Sequence, residues 1–261
     1  MKVKLIGKSG KEKRMIDLPK NFSIGIREDI LSKVYEVQRL IYSQVYGAKK
    51  GAGAQYSASG ILKHRRHVWK TTYGKGISRI PRKIISRHGQ SFNWIGATVS
   101  STRGGRRPHA PRSEKNNFKK INKKELLIAF NSGFAGTIDS KIIEKKYGSK
   151  INSGFVVDSS ILKLSTKDFL SFLKNVFGDS INRVLKRKKI RAGIGKMRGR
   201  KYKSNAGLLF VISSEENMKR KGVDVVKVSE LMISDLSPNG EPGRITCYSE
   251  NAIKEIGEKF K

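Results

Sequence analysis

The chain has 261 residues, with 56 Lys and Arg against 21 Asp and Glu, a formal charge of +35 and a pI near 10.4. A globule so charged repels itself, so a polyanion is the expected neutraliser, nucleic acid first and an anionic membrane surface second. The sequence has no apolar run of membrane-span length, no continuous apolar block at its N-terminus, and one cysteine, Cys247. A membrane span, a secretory leader, an intramolecular disulfide and a thiolate metal cluster are therefore set aside, and the expected compartment is the cytosol.

In chain order, "KVKLIG" and "EKRMIDL" are short strands around a turn at Gly10. "REDILSKVYEVQRLIYSQVYG" places Ile30, Val34, Val37, Ile41 and Val45 on one face, with Glu28 and Asp29 in the first turn. This predicts an amphipathic helix ending at Gly47.

From Gly47 to Lys120 there are 18 Lys and Arg against one acid, Glu114. The same stretch holds His64, His67, His88 and His109, and both tryptophans, Trp69 and Trp94. Its larger apolar residues show no sustained period, and Gly, Ser and Pro interrupt them. Within it, "STRGGRRPHAPR" (101–112) has no large apolar side chain to bury. The stretch reads as an extended arm whose ordering needs a large external partner.

After the arm, Asn122 and Glu125 form a capping-box pattern ahead of the mostly buried helix "LLIAFNSGFAG". "SGFVVD" (153–158) is a strand. "STKDFLSFLKNVF" is a helix capped by Ser165 and Asp168, and "AGLLFVIS" a fully buried strand. "EENMKRKG" reads as a helix, "VDVVKV" as a strand, "SELMIS" as a short helix, "GRITCYS" as a strand and "ENAIKEIGEKF" as a final helix. Strands alternating with helices imply crossovers and a mostly parallel sheet covered on both faces. The predicted fold class is three-layer α/β/α with a long extended basic internal loop. The predicted division is a globular domain of 1–46 and 121–261 and an arm of 47–120.

No catalytic constellation emerges. "GAGAQY" and "GIGKMRG" lack the third glycine of a dinucleotide fingerprint, and Gly74-Lys75 and Gly195-Lys196 are not followed by Ser or Thr. The histidines sit beside Arg65, Arg66 and Arg87, which makes a poor cation site, so no metal and no cofactor are expected. Most carboxylates fall in helix first turns, where the dipole explains them.

The cations of the arm remain, Arg65, Arg66, Lys70, Lys83 and Arg87 among them, as candidate RNA contacts. Irregular, glycine-punctuated basic chain suits the uneven surface of folded RNA better than a DNA major groove. Trp69, Tyr73, Phe92 and Trp94 are candidates for stacking on unpaired bases, at roughly 1–3 kcal/mol each. The alternative is small apolar clusters bracing the arm, of equal weight for Trp94 beside Phe92 and Ile95. A second basic stretch, "KRKKIRAGIGKMRGRKYK" (186–203), gives the globular part its own nucleic-acid face.

"YGKGISRIPRK", "STRGGRRPHAPR", "KIRAGIGKMRGRKYK" and "SPNGEPGRITCYSENAI", in this order and spacing and together with "IREDI", resemble the large-subunit ribosomal protein four (universal L-four) family in its archaeal and eukaryotic branch. The chain stops soon after its last helix, which favours the archaeal type. The resemblance implies a non-catalytic component of the large ribosomal subunit in the cytoplasm. It would bind large-subunit rRNA with that rRNA's structural Mg ions, aid assembly, and touch neighbouring ribosomal proteins but no membrane. It also implies an internal loop whose tip, Lys75, Gly76, Ile77, Ser78 and Arg79, helps line the exit tunnel and meets the nascent polypeptide.

On the same resemblance Lys75, Arg79 and Arg82 face rRNA or tunnel, and Arg103, Arg106, Arg107 and Arg112 clamp rRNA. Arg191, Lys196, Arg198, Arg200 and Lys201 hold the rRNA face of the domain. Two rivals stay open at this stage, an RNA-processing enzyme and a polybasic membrane or chromatin binder.

Overall fold

The computed structural model describes residues 1–148, 151 and 154–260. Ser153 of the predicted strand 153–158 and Lys261 of the predicted domain lie outside the described residues. The chain divides into one unit of Met1–Tyr42 with Phe118–Lys261 and a second of Ser43–Asn117.

Strands β1 (Lys2–Ile6) and β2 (Glu12–Asp17) pair antiparallel, with Val3 opposite Ile16. Gly10 turns between them at φ 80°. Helix α1 (Glu28–Ile41) buries Leu31, Val34 and Val37. It stops at Ile41, not at the predicted Gly47. Ile41 and Tyr42 are already exposed, and three of the four residues of the following "SQVY", Ser43, Val45 and Tyr46, are weak helix formers with no core left to cover.

Within the second unit, β3 (Arg82–His88) and β4 (Ser91–Gly96) form an antiparallel hairpin in which Arg87 faces Phe92 and Ile84 faces Trp94. The stretch predicted to lack any period thus contains a period of two. Phe92, Trp94 and Gly96 are half-buried, and Ser91, Asn93 and Ile95 are exposed.

Helix α2 (Lys123–Ile138) is buried from Ala129 to Thr137. Asn122 is its N-cap, but the predicted capping box is not formed: the Asn122 side chain makes no cap bond, and Glu125 accepts instead from Lys33 Nζ at 2.9 and 3.0 Å. With 56 cations in the chain, a carboxylate within reach of an ammonium is drawn to it in preference to a backbone N–H. Gly136 lets α2 pass against Pro242, where a Cβ would come to 2.6 Å. A helix that the sequence reading missed, α3 (Ser140–Tyr147), follows at once, capped by Asp139, whose carboxylate accepts from Lys141 N.

Strand β5 (Phe155–Val157) is wholly buried. Helix α4 (Thr166–Phe177) has the predicted cap, with Asp168 N donating to Ser165 Oγ at 3.2 Å. The short α5 (Ile181–Val184) leads to a second hairpin, β6 (Lys188–Ile190) and β7 (Tyr202–Ser204), and then to the buried strand β8 (Leu209–Ile212).

The helix predicted over "EENMKRKG" is absent: residues 215–222 are turn and loop. Glu216 is committed to Ser213 N, Ser249 Oγ and Asn251 Nδ2, and Arg220 donates to the Leu164 carbonyl. These side-chain ties pull the segment out of helical register. Strand β9 (Asp224–Lys227) follows. The short helix α6 (Ile233–Leu236) lies later than the predicted 229–234, because Asp235 accepts from Met232 N and starts it there. Strand β10 (Thr246–Ser249) and helix α7 (Glu250–Lys259), capped by Ser249, end the chain.

Six strands form one sheet in the order β2-β1-β5-β10-β8-β9, parallel except for β2. Side chains alternate across it into two apolar clusters. Leu5, Val156, Val211 and Tyr248 join Leu31, Phe134 and Ile256 in one. Phe155, Val157, Phe210 and Cys247 join Ile143, Phe172 and Leu173 in the other.

The sheet's polar tie is Arg244, which is 3% exposed. It donates to the carbonyls of Gly207, Ala206 and Asp235 at 3.0, 2.7 and 2.8 Å, and to Asp224 Oδ2 at 2.5 Å. Asp224 also receives Lys186. Burial pushes the Asp224 carboxyl up, but the hydrogen bonds and charges of Lys186 and Arg244 outweigh it and hold its pKa below the ordinary value.

Replacing Arg244 with Ala leaves three carbonyls without this donor and Asp224 with Lys186 alone, and is expected to cost about 3–5 kcal/mol in urea unfolding. A group with a lowered folded pKa stabilises above its unfolded pKa and loses that contribution as pH falls through the folded value. The acid limb of the stability curve should therefore move to higher pH in Arg244→Ala.

Candidate nucleic-acid interface

The second unit, Ser43–Asn117, has little to bury. Ala97, Thr71 and Thr72 are its buried residues among those described. Its shape comes instead from backbone pairing and a row of rings. Thr72 N donates to Ile61 O at 3.1 Å, Gly60 N to Arg82 O at 3.3 Å and Ala97 N to Pro81 O at 2.8 Å. Trp69 meets Phe92 edge-on with centroids 5.1 Å apart, and Phe92 meets Trp94 at 5.3 Å. Gly60 lies under Trp94, where a Cβ would come to 3.1 Å from the indole. Trp69, Phe92 and Trp94 therefore sit together, while Tyr73 stands apart with His64 edge-on at 4.2 Å.

Among the described residues, no ion pair lies in this unit; every one belongs to the first. Arg65, Arg66, Lys75, Arg79, Arg87, Arg103, Arg106, Arg107 and Arg112 are exposed, and Lys70, Arg82 and Lys83 are half-buried. Where cations are held, rings and carbonyls hold them. Arg79 and Arg66 lie over Tyr73 at 5.4 and 5.9 Å. Arg87 covers Trp69 at 5.1 Å, and Lys83 Nζ is 3.2 Å from the Tyr56 centroid. Such contacts leave the positive charge uncancelled.

At the predicted tip, Lys75, Gly76, Ser78 and Arg79 are exposed and Ile77 is half-buried. Arg82 donates to Ser78 O at 3.1 Å and to Ser78 Oγ at 2.7 Å, so it braces the tip from behind. Gly76 takes φ 70° with no atom within 4 Å of a built Cβ.

The arginines of 101–112 hang on a turn. Thr98 has φ 62°, Arg106 N donates to Thr98 O at 3.0 Å, and Gly105 N donates to Thr102 O at 3.0 Å. A Cβ on Gly105 would overlap the Val99 carbonyl. Arg106, Arg107, His109 and Arg112 line a cavity of about 610 Å³ together with Lys49 and Lys50. The sequence reading did not single out those two lysines; their pairing with 106–114 rests on backbone contacts such as Ala48 N to Pro111 O, which no local pattern encodes.

In the first unit, Arg191, Lys196, Arg198, Arg200 and Lys201 are all exposed on the β6–β7 hairpin and its tip. At the foot of that hairpin, Arg187, Lys189 and Lys203 line a second cavity of about 380 Å³ with Asn182 and Asn205. These three cations fell within the basic stretch 186–203 without being named individually. Among the described residues, no group of three His, Cys, Asp or Glu could hold a metal ion. Cys247 is buried, and burial raises its thiol pKa well above the ordinary value.

The sequence model described as "Ribosomal protein L4/L1 family" matches residues 16–259. The chain is similar to the large ribosomal subunit protein uL4 of Nanoarchaeum equitans, with 32% identity over 99% of this chain and 98% of the relative. The uL4 protein of Thermoplasma acidophilum is 35% identical over 98% of each chain. That of Halobacterium salinarum is 30% identical over 99% of this chain and all of the relative.

Because Gly105 has no room for a methyl group, Gly105→Ala must open the 98–106 turn. Amide exchange at Gly105 and Arg106 is expected to rise to that of unstructured chain, with the urea transition of the first unit unchanged. Protection retained at both amides would contradict the packing described.

Proposed function

The chain belongs to the ribosomal protein L4/L1 family, and on that premise we propose that it binds and braces large-subunit rRNA as a structural, non-catalytic constituent of the large ribosomal subunit. The observation that carries the reading is the contrast between its two units. Ser43–Asn117 holds 16 cations and one acid with no ion pair among its described residues, whereas every ion pair among the described residues lies in the first unit, where acids such as Glu250, Glu125 and Asp224 pair with its cations. Charge so presented is complementary to phosphate, and RNA supplies one phosphate per nucleotide.

In this reading the first unit is a three-layer α/β/α domain, its sheet covered by an apolar cluster on each face. Residues 43–117 are the long basic loop that threads the rRNA. Arg65, Arg66, Lys70, Lys83 and Arg87 contact the RNA along it. Arg103, Arg106, Arg107 and Arg112 clamp the returning strand, and Arg191, Lys196, Arg198, Arg200 and Lys201 form the face of the domain.

The tip, Lys75 to Arg79, reaches the exit tunnel and the nascent chain, with Arg82 fixing its curvature. Trp69, Phe92 and Trp94 brace the loop as a cluster. Tyr73, half-buried under two arginines, is the ring best placed to exchange a guanidinium for a base. Mg ions belong to the rRNA and not to a site on this chain. The compartment is the cytoplasm, where the large subunit works.

Two measurements test this. In a sucrose gradient of lysate the protein should sediment with large subunits, and its confinement to free fractions would refute the assignment. Arg107→Ala should weaken rRNA binding and reduce the slope of log K against log salt by about one, with Tm unchanged. An equal loss of Tm would mean that Arg107 serves the fold.

A further inference from the structure

Ten cations and no acid occupy Lys186–Lys203, the segment of the β6–β7 hairpin. Yet four of its apolar side chains stand in solvent: Ile190 is 63% exposed, Ile194 64%, Met197 80% and Tyr202 52%. Scattered singly, such residues need no explanation. Here the backbone gathers them. Ile190 lies directly opposite Tyr202 in the ladder, so the two share a face. Ile194 opens a 3-10 turn in which Met197 N donates to Ile194 O at 3.0 Å. Side chains three apart in such a turn eclipse, which places Ile194 and Met197 side by side.

The tip holds this shape from within. Arg191 N donates to Lys201 O at 2.8 Å, and Arg198 N and Arg200 N both donate to Gly195 O, at 3.2 and 3.1 Å. Arg191 Nε adds a bond to Arg200 O at 3.2 Å. Neither Ile194 nor Met197 enters either apolar cluster. A frame bonded in this way presents the two side chains outward at fixed positions.

We infer that Ile194 and Met197 are an apolar wedge that enters between unstacked bases of the RNA, with Tyr202, opposite Ile190 in the ladder, as a separate stacking face on the same hairpin. The inference rests on the rRNA-binding reading above and adds what the cations alone do not supply, a contact to bases. Charge selects the occupant: Lys186 is paired with Asp224, but a protein neighbour would still have to neutralise the nine other cations of this segment, whereas an RNA strand brings phosphates and apolar base faces together. Paired A-form RNA offers no base face to such a wedge, so its target is a bulge, a loop or a kinked step.

The test uses the full-length protein and large-subunit rRNA transcribed from the same genome. The double change Ile194→Ser with Met197→Ser should weaken binding about tenfold, with the slope of log K against log salt unchanged, because no phosphate contact is lost. Wild-type protein should raise 2′-hydroxyl acylation at one or two nucleotides, and the double variant should not. Lys196→Ala should do the reverse, lowering the slope by about 0.7–0.9 while keeping the acylation signal. Restoring apolar volume with Ile194→Val and Met197→Leu should recover both readouts.

Binding by the double variant within about twofold of wild type, with the acylation pattern intact, overturns the wedge and leaves rRNA binding standing. Normal rRNA binding by that variant with failed entry into subunits overturns it in favour of a protein neighbour. No binding by the wild-type chain sinks the broader reading as well.

Discussion

Like charge crowded into a short stretch is the constraint on which the rest of this molecule turns. Ser43–Asn117 carries 16 cations and a single carboxylate. Two unit charges about 6 Å apart repel by less than about 1 kcal/mol in water, but by several-fold more beside low-dielectric protein. The unit must therefore keep its cations wet, and it does so by burying almost nothing. What would be a core elsewhere is here a ladder of backbone hydrogen bonds and three rings in a row. Guanidinium groups lie over rings or donate to carbonyls, contacts that fix position without spending charge.

The first unit solves the complementary problem. Every acid of the chain except Glu114 lies in it, and they work locally. Glu28, Asp29, Asp168 and Glu250 sit in helix first turns. Glu216 and Glu255 tie the ends of β8 and β10 to the following chain. Asp224 joins Lys186 to the buried Arg244. With these acids engaged inside the fold, the cations of Lys188–Lys203 have no ion-pair partner among the described residues, which suits an anion-binding face.

Legibility of the sequence tracked the source of each element's stability. Strands such as Leu209–Ile212, made by continuous apolar side chains, and the Ser165 cap, made by residues three apart, are local signals and were readable. Failures arose where a distant partner decides. Glu125 abandons its capping box for Lys33, 92 positions away. Glu216, tied to Ser249 and Asn251, draws 215–222 out of the predicted helix.

The β3–β4 hairpin was missed for another reason. Its alternation is carried by Phe92 and Trp94 among polar residues, and the arginines around it masked a period of two. Of the candidate site, the charge was legible and the arrangement was not. That Trp69 meets Phe92, or that Lys49 and Lys50 share a cavity with Arg106 and Arg112, depends on how the chain returns on itself.

Strain completes the physical picture of the arm. Lys70 and Thr98 are two of the three described non-glycine residues with positive φ, and both lie in the unit with the least core. For a β-branched residue this costs on the order of 1–3 kcal/mol, and it survives only where neighbours over-determine the backbone. At Thr98 they do. Its carbonyl receives Arg106 N, and its hydroxyl donates to Ala97 O at 2.7 Å. The side-chain-free Gly105 lets the chain pass the Val99 carbonyl at a distance no other residue permits. The strained residue thus sets the direction in which Arg106 and Arg107 leave the turn. Where a core is too small to aim arginines by packing, a locked backbone aims them instead, and the stored strain is modest beside the several phosphate contacts such a turn can make.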